Sequence, residues 1–221
     1  DVTSEDGSYV GGIAGVTAAA VRGSYAKCTL SGGKYVGGIV GSGTTETATG
    51  ASSSVVGCTS LVRIAQCGQY EGAISGADAG EFLENRFVSD ELAGVNRRSY
   101  AGRAYPIPFG ELADAPEAMR RFTLRFTADG ATLKAVAFEY GASFDADVYP
   151  EIPRKEGCYA AWDAETLEDL HFDREVRVIY TPYVTALPSA DTRVDGRAIF
   201  LAEGAYDDTA ELRVTPLAQT P

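Results

Sequence analysis

Histidine, methionine and tryptophan each occur once in the 221 residues. No apolar run approaches the roughly 20 residues that a membrane-spanning helix needs. Any Ser–His–Asp or Cys–His site would have to use His171. That residue lies in Asp169-Leu170-His171-Phe172-Asp173, with no Gly-x-Ser-x-Gly elbow in the chain. A structural or exposed histidine is therefore expected. Cysteine is scarce as well. Cys28, Cys58, Cys67 and Cys158 are too few for a disulfide framework in a chain this long, and they lack the C-x-x-C pairs and neighbouring histidines of a zinc site. Cys28 and Cys58 read as equivalent positions of successive repeats, hence stacked, buried small side chains. A Cys58–Cys67 bridge cannot be argued from spacing. Basic residues are also in deficit, 19 against 31 acidic, for a net charge of −12. Residues 100–221 supply −9 of it. Such a surface repels phosphate backbones, which excludes nucleic acid as the expected partner and leaves anionic membrane little better.

Other chemistry-bearing patterns are missing too. There is no Gly-Lys-Ser/Thr of a phosphate loop. The acidic run Asp163, Glu165, Glu168, Asp169 and Asp173 lacks the alternating oxygens around a glycine that calcium loops use. Glycoside hydrolysis needs two carboxylates facing across a sugar groove, and the sequence gives no sign of them. A solvated acidic loop is the expectation. There is neither a signal peptide nor a starting Met, and Asp1 falls inside a repeat pattern. The chain thus reads as an excised or processed piece, with any anchor or export signal outside it.

What is present is glycine, 25 residues clustered in the first half, in a chain whose 45% hydrophobic and 23% charged content is that of folded protein. The clustering has a form. Gly7-Ser8-Tyr9-Val10-Gly11-Gly12-Ile13-Ala14-Gly15 is nearly copied by Gly33-Lys34-Tyr35-Val36-Gly37-Gly38-Ile39-Val40-Gly41. A third version reads Gly68-Gln69-Tyr70-Glu71-Gly72-Ala73-Ile74-Ser75-Gly76. Their tyrosines are 26 and then 35 residues apart, so a constant strand core alternates with a variable loop, placed over residues 42–54. Between them lie strand-like pieces at 24–30 and 54–62. Stacked β-coils explain the glycines: each corner needs a positive φ or a backbone with no Cβ in the way. Ile and Val should point inward and each Tyr should stack on its equivalent one coil away, because a single unit cannot bury its own apolar face. An ordinary β-sandwich with glycine turns does not predict near-identical nonapeptides.

Tyr-Val-Gly-Gly-Ile-x-Gly preceded by a Cys-Thr segment resembles the GLUG repeat of bacterial surface proteins, over about residues 7–100. The resemblance extends through residues 84–90, Gly94-Val95-Asn96 and Ser99-Tyr100-Ala101-Gly102. The third copy departs at Glu71, Ala73 and Ser75, as a terminal, capping coil would. The resemblance implies a parallel β-solenoid in an extracellular setting, and it carries no catalytic residue.

Residues 103–118, with Pro106, Pro108 and Pro116, read as a stiff linker that includes a short helical turn around 112–119. A second module follows. Phe122–Thr127 and Leu133–Tyr140 alternate strictly about the turn Ala128-Asp129-Gly130, a β-hairpin. A last alternating strand spans 175–181. The order of Asp129-Gly130, Gly141, Pro150 and Pro153, Gly157, Tyr159, Trp162 and Tyr180 resembles the Listeria–Bacteroides repeat, a B-repeat module of β-grasp type, over about residues 121–184. It departs at Ala161-Trp162-Asp163. The resemblance implies a spacer, sometimes a contact surface, with Trp162 in the core. In the tail, 196–202 and 209–214 read as a hairpin about 204–208. Either it packs on the second module or it begins a third domain; a well-folded fragment must cover it, which favours the first.

The expected fold is therefore mainly β: a short Gly-rich β-solenoid over 1–102, a linker over 103–118, a small β-grasp-like domain over 119–185 and a C-terminal β-hairpin over 186–221. Exposed aromatics are the remaining candidates for contact, chiefly Tyr100, Tyr105, Tyr149 and Tyr183, with Tyr159 and Trp162 nearer to packing roles. With no cofactor or metal expected, the reading is a non-enzymatic stalk or adhesion segment of a bacterial cell-surface or secreted protein. It would meet a protein or glycan and not insert into a membrane. The alternative is a carbohydrate-binding or substrate-presenting accessory region of a larger extracellular hydrolase or peptidase.

Overall fold

Parallel pairing dominates the first half of the chain. The computed structural model describes every residue except 46–49, 51, 101, 192, 196, 199 and 216–221, and the side chains of 5 and 6. The fold is mainly β and divides into two units, Asp1–Arg120 and Arg121–Pro221. Among the described residues no helix is long and apolar enough to cross a membrane.

In the first unit the chain visits three sheets in turn. The first pass gives β1 (Val2–Gly11), β2 (Ala14–Thr17) and β3 (Ala20–Arg22), and the second gives β4 (Tyr25–Gly37), β5 (Val40–Gly43) and β6 (Ser54–Val56). The third gives β7 (Thr59–Gly72) and β8 (Glu81–Leu83), followed by β9 (Asn85–Phe87) and β10 (Ala104–Pro106). Sheet order is β1-β4-β7-β9-β10, with every neighbour parallel. A second sheet pairs β2 with β5 and continues through the parallel bridges Val40–Ser75 and Ser75–Val95. The third has the order β3-β6-β8. Parallel neighbours need a long crossover, and here the other two sheets provide it. The apolar positions of each pass share one core, in which Leu30, Val36, Ile39, Val40, Val55, Ile74 and Phe87 are fully buried. Each such side chain contributes about 1.5–3 kcal/mol by leaving water.

The motif tyrosines stack as expected: Tyr9 on Tyr35 at 4.9 Å and Tyr35 on Tyr70 at 4.7 Å between ring centroids. The division of labour among the motif residues differs from expectation, however. Left-handed backbone falls on the tyrosines themselves, with φ of 68°, 54° and 63°, and on none of the motif glycines. The glycines serve close approach instead. A Cβ on Gly37 would stand 1.9 Å from the Val40 carbonyl oxygen, and one on Gly38 1.8 Å from that of Ala73. A second positive-φ corner lies where the third sheet hands the chain back to the first. Gly23, Gly57 and Glu84 occupy it with φ of 53°, 61° and 55°, and each donates its N–H to the following pass, to Val56, Leu83 and Gly102 respectively.

Gly57 also cuts the piece read as one strand over 54–62 into β6 and β7, which lie in different sheets. That corner removes the equivalence of Cys28 and Cys58. Cys28 faces Val62 in the parallel register, and Thr59 faces Tyr25, so Cys58 corresponds to Ser24. All four cysteines are free. Nine residue steps of mostly extended chain separate Cys58 from Cys67, roughly 30 Å at about 3.3 Å per residue, which no disulfide spans.

The third nonapeptide is not the terminal coil. Val95 pairs onto Ser75, Arg97 forms an ion pair with Glu71 at 3.4 Å, and Ala73 and Ser75 are buried beneath the next pass. The loop expected over 42–54 lies partly outside the described residues; its ends are strand, with Ser42, Ser53 and Ser54 buried. The stretch 103–118 is part of the first unit. It carries β10, whose Ala104 is fully buried, and then Ile107, Leu112 and Ala115, also buried. A 3-10 turn covers Phe109–Leu112, and α1 (Glu117–Arg120) lies against β4. Pro106 fits because it ends its strand, and Ile107 resumes the ladder by donating to Phe87 at 2.8 Å.

The second unit is built on β11 (Phe122–Ala128), β12 (Ala131–Phe138), β13 (Ala142–Phe144), β14 (Cys158–Trp162), β15 (Leu167–Leu170) and β16 (Arg174–Pro182). Its four-stranded sheet runs β12-β11-β16-β14, with the central β11–β16 pair parallel and the outer pairs antiparallel. Asp129 and Gly130 both have positive φ, 46° and 81°, as a two-residue type I′ hairpin turn demands. Phe122, Leu124, Phe126 and Val176 are fully buried, and Phe126 meets Trp162 edge-on at 5.3 Å. β13 pairs with β15 beside this sheet.

The tail departs from the expected hairpin. β17 (Val184–Pro188), β18 (Arg193–Val194), β19 (Arg197–Ala198) and β20 (Leu201–Tyr206) follow, and β20 runs through residues read as a turn. β20 pairs antiparallel with β17, and β18 with β19. The partner of β20 comes from upstream because β17 leaves β16 almost directly and presents a free edge to it.

Candidate functional site

Two prolines, Pro150 and Pro153, keep the approach to β14 extended, and Gly157, at φ 74°, turns the chain into that strand. The turn is pinned on both sides. The Tyr183 N–H donates to the Gly157 carbonyl at 3.0 Å, and the Tyr180 hydroxyl donates to the Pro153 carbonyl at 2.8 Å. β14 is an edge strand of the four-stranded sheet. Beside it lies a groove of about 620 Å³ lined by Ile152, Pro153, Arg154, Lys155, Tyr159 and Tyr183, among others.

Two tyrosines and several charged side chains line the groove. The rings of Tyr159 and Tyr183 lie 5.9 Å apart, tilted by 42°. The Tyr159 hydroxyl donates to the Asp208 carboxylate, which fixes its ring. That bond is the main reason its pKa lies above the usual tyrosine value. Lys155 donates to both Asp129 oxygens at 3.0 Å and lies 4.6 Å over the Tyr180 ring. The hydrogen bond to Asp129 pushes its pKa up, so it stays cationic. Arg154 and Glu156 are exposed on the rim. Tyr159 and Lys155 are thus held in their ordinary neutral-pH forms.

The four tyrosines singled out from the sequence are not brought together. Tyr183 lines the groove. Tyr149 packs on Phe126 at 5.2 Å and donates its hydroxyl to the Ala164 carbonyl at 2.8 Å. Tyr100 lies under the Arg103 guanidinium, 4.8 Å away, which also holds Asp78 at 2.7 Å. Tyr105 sits on β10, opposite Arg86. The sequence reading missed Ile152, Arg154 and Lys155; the Pro150-x-x-Pro153 spacing was the available sign of an exposed extended segment.

No family model, curated protein or solved structure matches this chain.

The other chemistry-bearing groups are engaged locally. His171 stacks on Tyr140, centroids 4.1 Å apart and rings 2° from parallel, with Nε2 2.9 Å from an Asp169 oxygen. Asp163 accepts the Arg177 N–H at 2.8 Å and Asp173 that of Thr123 at 2.7 Å. Members of the acidic run therefore terminate backbone ladders. Among the described residues no three His, Cys, Asp or Glu side chains are grouped to hold a metal ion. Burial pushes the Cys28, Cys58 and Cys67 thiols up, away from the reactive thiolate.

Proposed function

We propose that the chain is a non-enzymatic spacer and adhesion segment of a bacterial cell-surface or secreted protein, its first unit a GLUG-type β-solenoid and its second a β-grasp-like B-repeat module. The observation that carries this reading is the in-register stack of successive passes, Tyr9 on Tyr35 on Tyr70 above the column Ile39–Ile74. A stack of near-equivalent coils is stabilised between neighbours and suits a load-bearing spacer. The strand order β12-β11-β16-β14, with a parallel central pair, supports the β-grasp assignment. Optical-tweezer extension of the chain from its ends tests the spacer role. The expected outcome is discrete unfolding steps in the first unit, sized near the 26- and 35-residue repeat spacings. Smooth extension at low force would count against it.

The groove favours a second reading, a carbohydrate-binding accessory region. A pyranose would lay its C–H face on the Tyr183 ring and direct hydroxyls to Arg154 and Glu156, within the volume range of ordinary ligand sites. A glycan array separates the two. Reproducible binding that Tyr183→Ala abolishes supports the second reading, and its absence leaves the spacer role.

A further inference from the structure

The three motif tyrosines stand one to a pass, at one place in the parallel register. Ser8 and Val10 pair with Lys34 and Val36, which pair in turn with Gln69 and Glu71. Tyr9 is thereby set beside Tyr35, and Tyr35 beside Tyr70. Their ring centroids are 4.9 and 4.7 Å apart and their planes 4° and 14° from parallel, the spacing of adjacent strands carried out to the side chains. All three hold left-handed backbone, with φ of 68°, 54° and 63°. Bulky residues rarely take that conformation, and its recurrence at one register position points to a use for the rings themselves. The Tyr35–Tyr70 pair joins the second pass to the third, which is itself followed by the pass carrying Val95. Tyr70 is nevertheless 40% exposed and Tyr35 partly exposed, so solvent reaches both rings.

We propose that the Tyr9–Tyr35–Tyr70 column is a site of oxidative crosslinking, at which dityrosine bonds join consecutive passes of the chain. The oxidant is hydrogen peroxide acting through a peroxidase. Each tyrosine of a pair gives up one electron and its phenolic proton. The two phenoxyl radicals couple through ring carbons next to the oxygens, and the hydrogens on those carbons move to the oxygens, restoring both phenols. The peroxide takes up the two electrons and two protons and leaves as two waters. Proximity favours coupling within the column over coupling between molecules. The stacked rings need only turn about their Cβ–Cγ bonds to bring the reacting carbons together. A bond between Tyr35 and Tyr70 closes a loop and removes freedom from the unfolded chain, so it fastens one pass to the next. Tyr159 and Tyr183 in the second unit are the natural comparison. Their rings are 5.9 Å apart and tilted by 42°, and the Tyr159 hydroxyl is bonded to Asp208. The column is independent of the spacer and glycan readings.

The test treats the full chain, dilute and folded, with a haem peroxidase and limiting hydrogen peroxide, followed by tryptic digestion and mass spectrometry. Tyr9, Tyr35 and Tyr70 are the sole tyrosines of the tryptic peptides 1–22, 35–63 and 64–86, so each crosslink is assignable. The expected result is a chain that stays monomeric, gains dityrosine fluorescence and yields peptide 35–63 joined to 64–86 and to 1–22. Each product should be lighter than its two peptides by two hydrogens. Tyr35→Phe keeps a stacked ring but has no phenol. It should remove both products and lower the fluorescence at least tenfold, with circular dichroism matching the parent. Tyr9→Phe should leave the product of 35–63 with 64–86. In concentrated urea both products should fall at least tenfold, because the column no longer exists. Crosslinks formed chiefly between molecules or between Tyr159 and Tyr183 overturn the proposal. So does a yield that is unchanged in urea or indifferent to Tyr35→Phe.

Discussion

The side-chain oxygen of Asn85 accepts the backbone N–H of Cys58 at 3.0 Å, joining two passes of the chain at the corner where each re-enters the first sheet. The amide nitrogen of the same Asn85 donates to the Val55 and Arg103 carbonyls at 2.8 and 2.9 Å. One fully buried polar side chain thus ties β6, the start of β7 and the lead-in to β10, with every group satisfied. Asn85→Ala strands the buried Cys58 N–H and takes one donor from each of the Val55 and Arg103 carbonyls, the second of which still accepts the N–H of residue 85 at 3.0 Å. An unmade buried hydrogen bond costs about 1–3 kcal/mol, so a loss on the order of 3 kcal/mol is expected in urea unfolding of the first unit. A loss below about 1 kcal/mol would show that water replaces the side chain.

Glu84 occupies the left-handed corner that Gly23 and Gly57 fill in the earlier passes. The left-handed backbone costs a non-glycine residue about 1–2 kcal/mol, part of which glycine returns as unfolded-chain entropy. Glu84→Gly should therefore stabilise the chain by about 0.5–1 kcal/mol, read as a raised urea midpoint. A lowered midpoint would mean that the glutamate side chain outweighs its own strain.

Gly38 and Gly110 make opposite predictions for one substitution. A Cβ on Gly38 meets the Ala73 carbonyl, whereas one on Gly110 meets nothing within 4 Å. Gly38→Ala should cost on the order of 3 kcal/mol by forcing the Gly38 and Ala73 backbones apart, and Gly110→Ala should stay within about 0.5 kcal/mol. Equal effects in thermal melts would refute the close-approach account of the motif glycines.

The tyrosine column separates ring stacking from hydroxyl chemistry. Tyr35 stacks on both sides, and each contact of that kind is worth about 0.5–1.5 kcal/mol beyond burial. Tyr35→Phe should be neutral within about 0.5 kcal/mol, and Tyr35→Ala should lose about 2 kcal/mol. A costly Tyr35→Phe would point to a role for the hydroxyl.

Desolvation raises the pKa values of Cys28 and Cys58. A raised folded-state pKa means that this contribution to stability is complete below the unfolded thiol's value of about 8.5 and is lost as pH rises through the folded value. Iodoacetamide labelling followed by mass spectrometry should show both thiols lagging behind free cysteine at pH 8 and catching up only at more alkaline pH. Fast labelling at pH 8 would show that the first unit opens locally.

Local sequence and packing contributed differently to what is legible. The repetition of Gly-x-Tyr-x-Gly-small-Ile-small-Gly determined that the copies pair in parallel and that tyrosine meets tyrosine, because equivalent positions of like strands bury their apolar side chains against one another. The alternation around Asp129-Gly130 determined the β11–β12 hairpin for an equally local reason: the turn needs two positive φ values and those residues supply them. Corners were less legible. That Gly57 breaks 54–62 into two sheets, or that Glu84 takes the place of a glycine, depends on which residue happens to lie where a sheet ends. Partners distant in the chain were not legible at all. Asn85 bridging Cys58, Val55 and Arg103, β17 claiming β20, and the buried Leu112 of an apparent linker are settled by what the rest of the fold leaves uncovered. The groove beside β14 belongs to the same class. Tyr159 and Tyr183 are 24 residues apart in sequence, and only the β14–β16 pairing places their rings side by side.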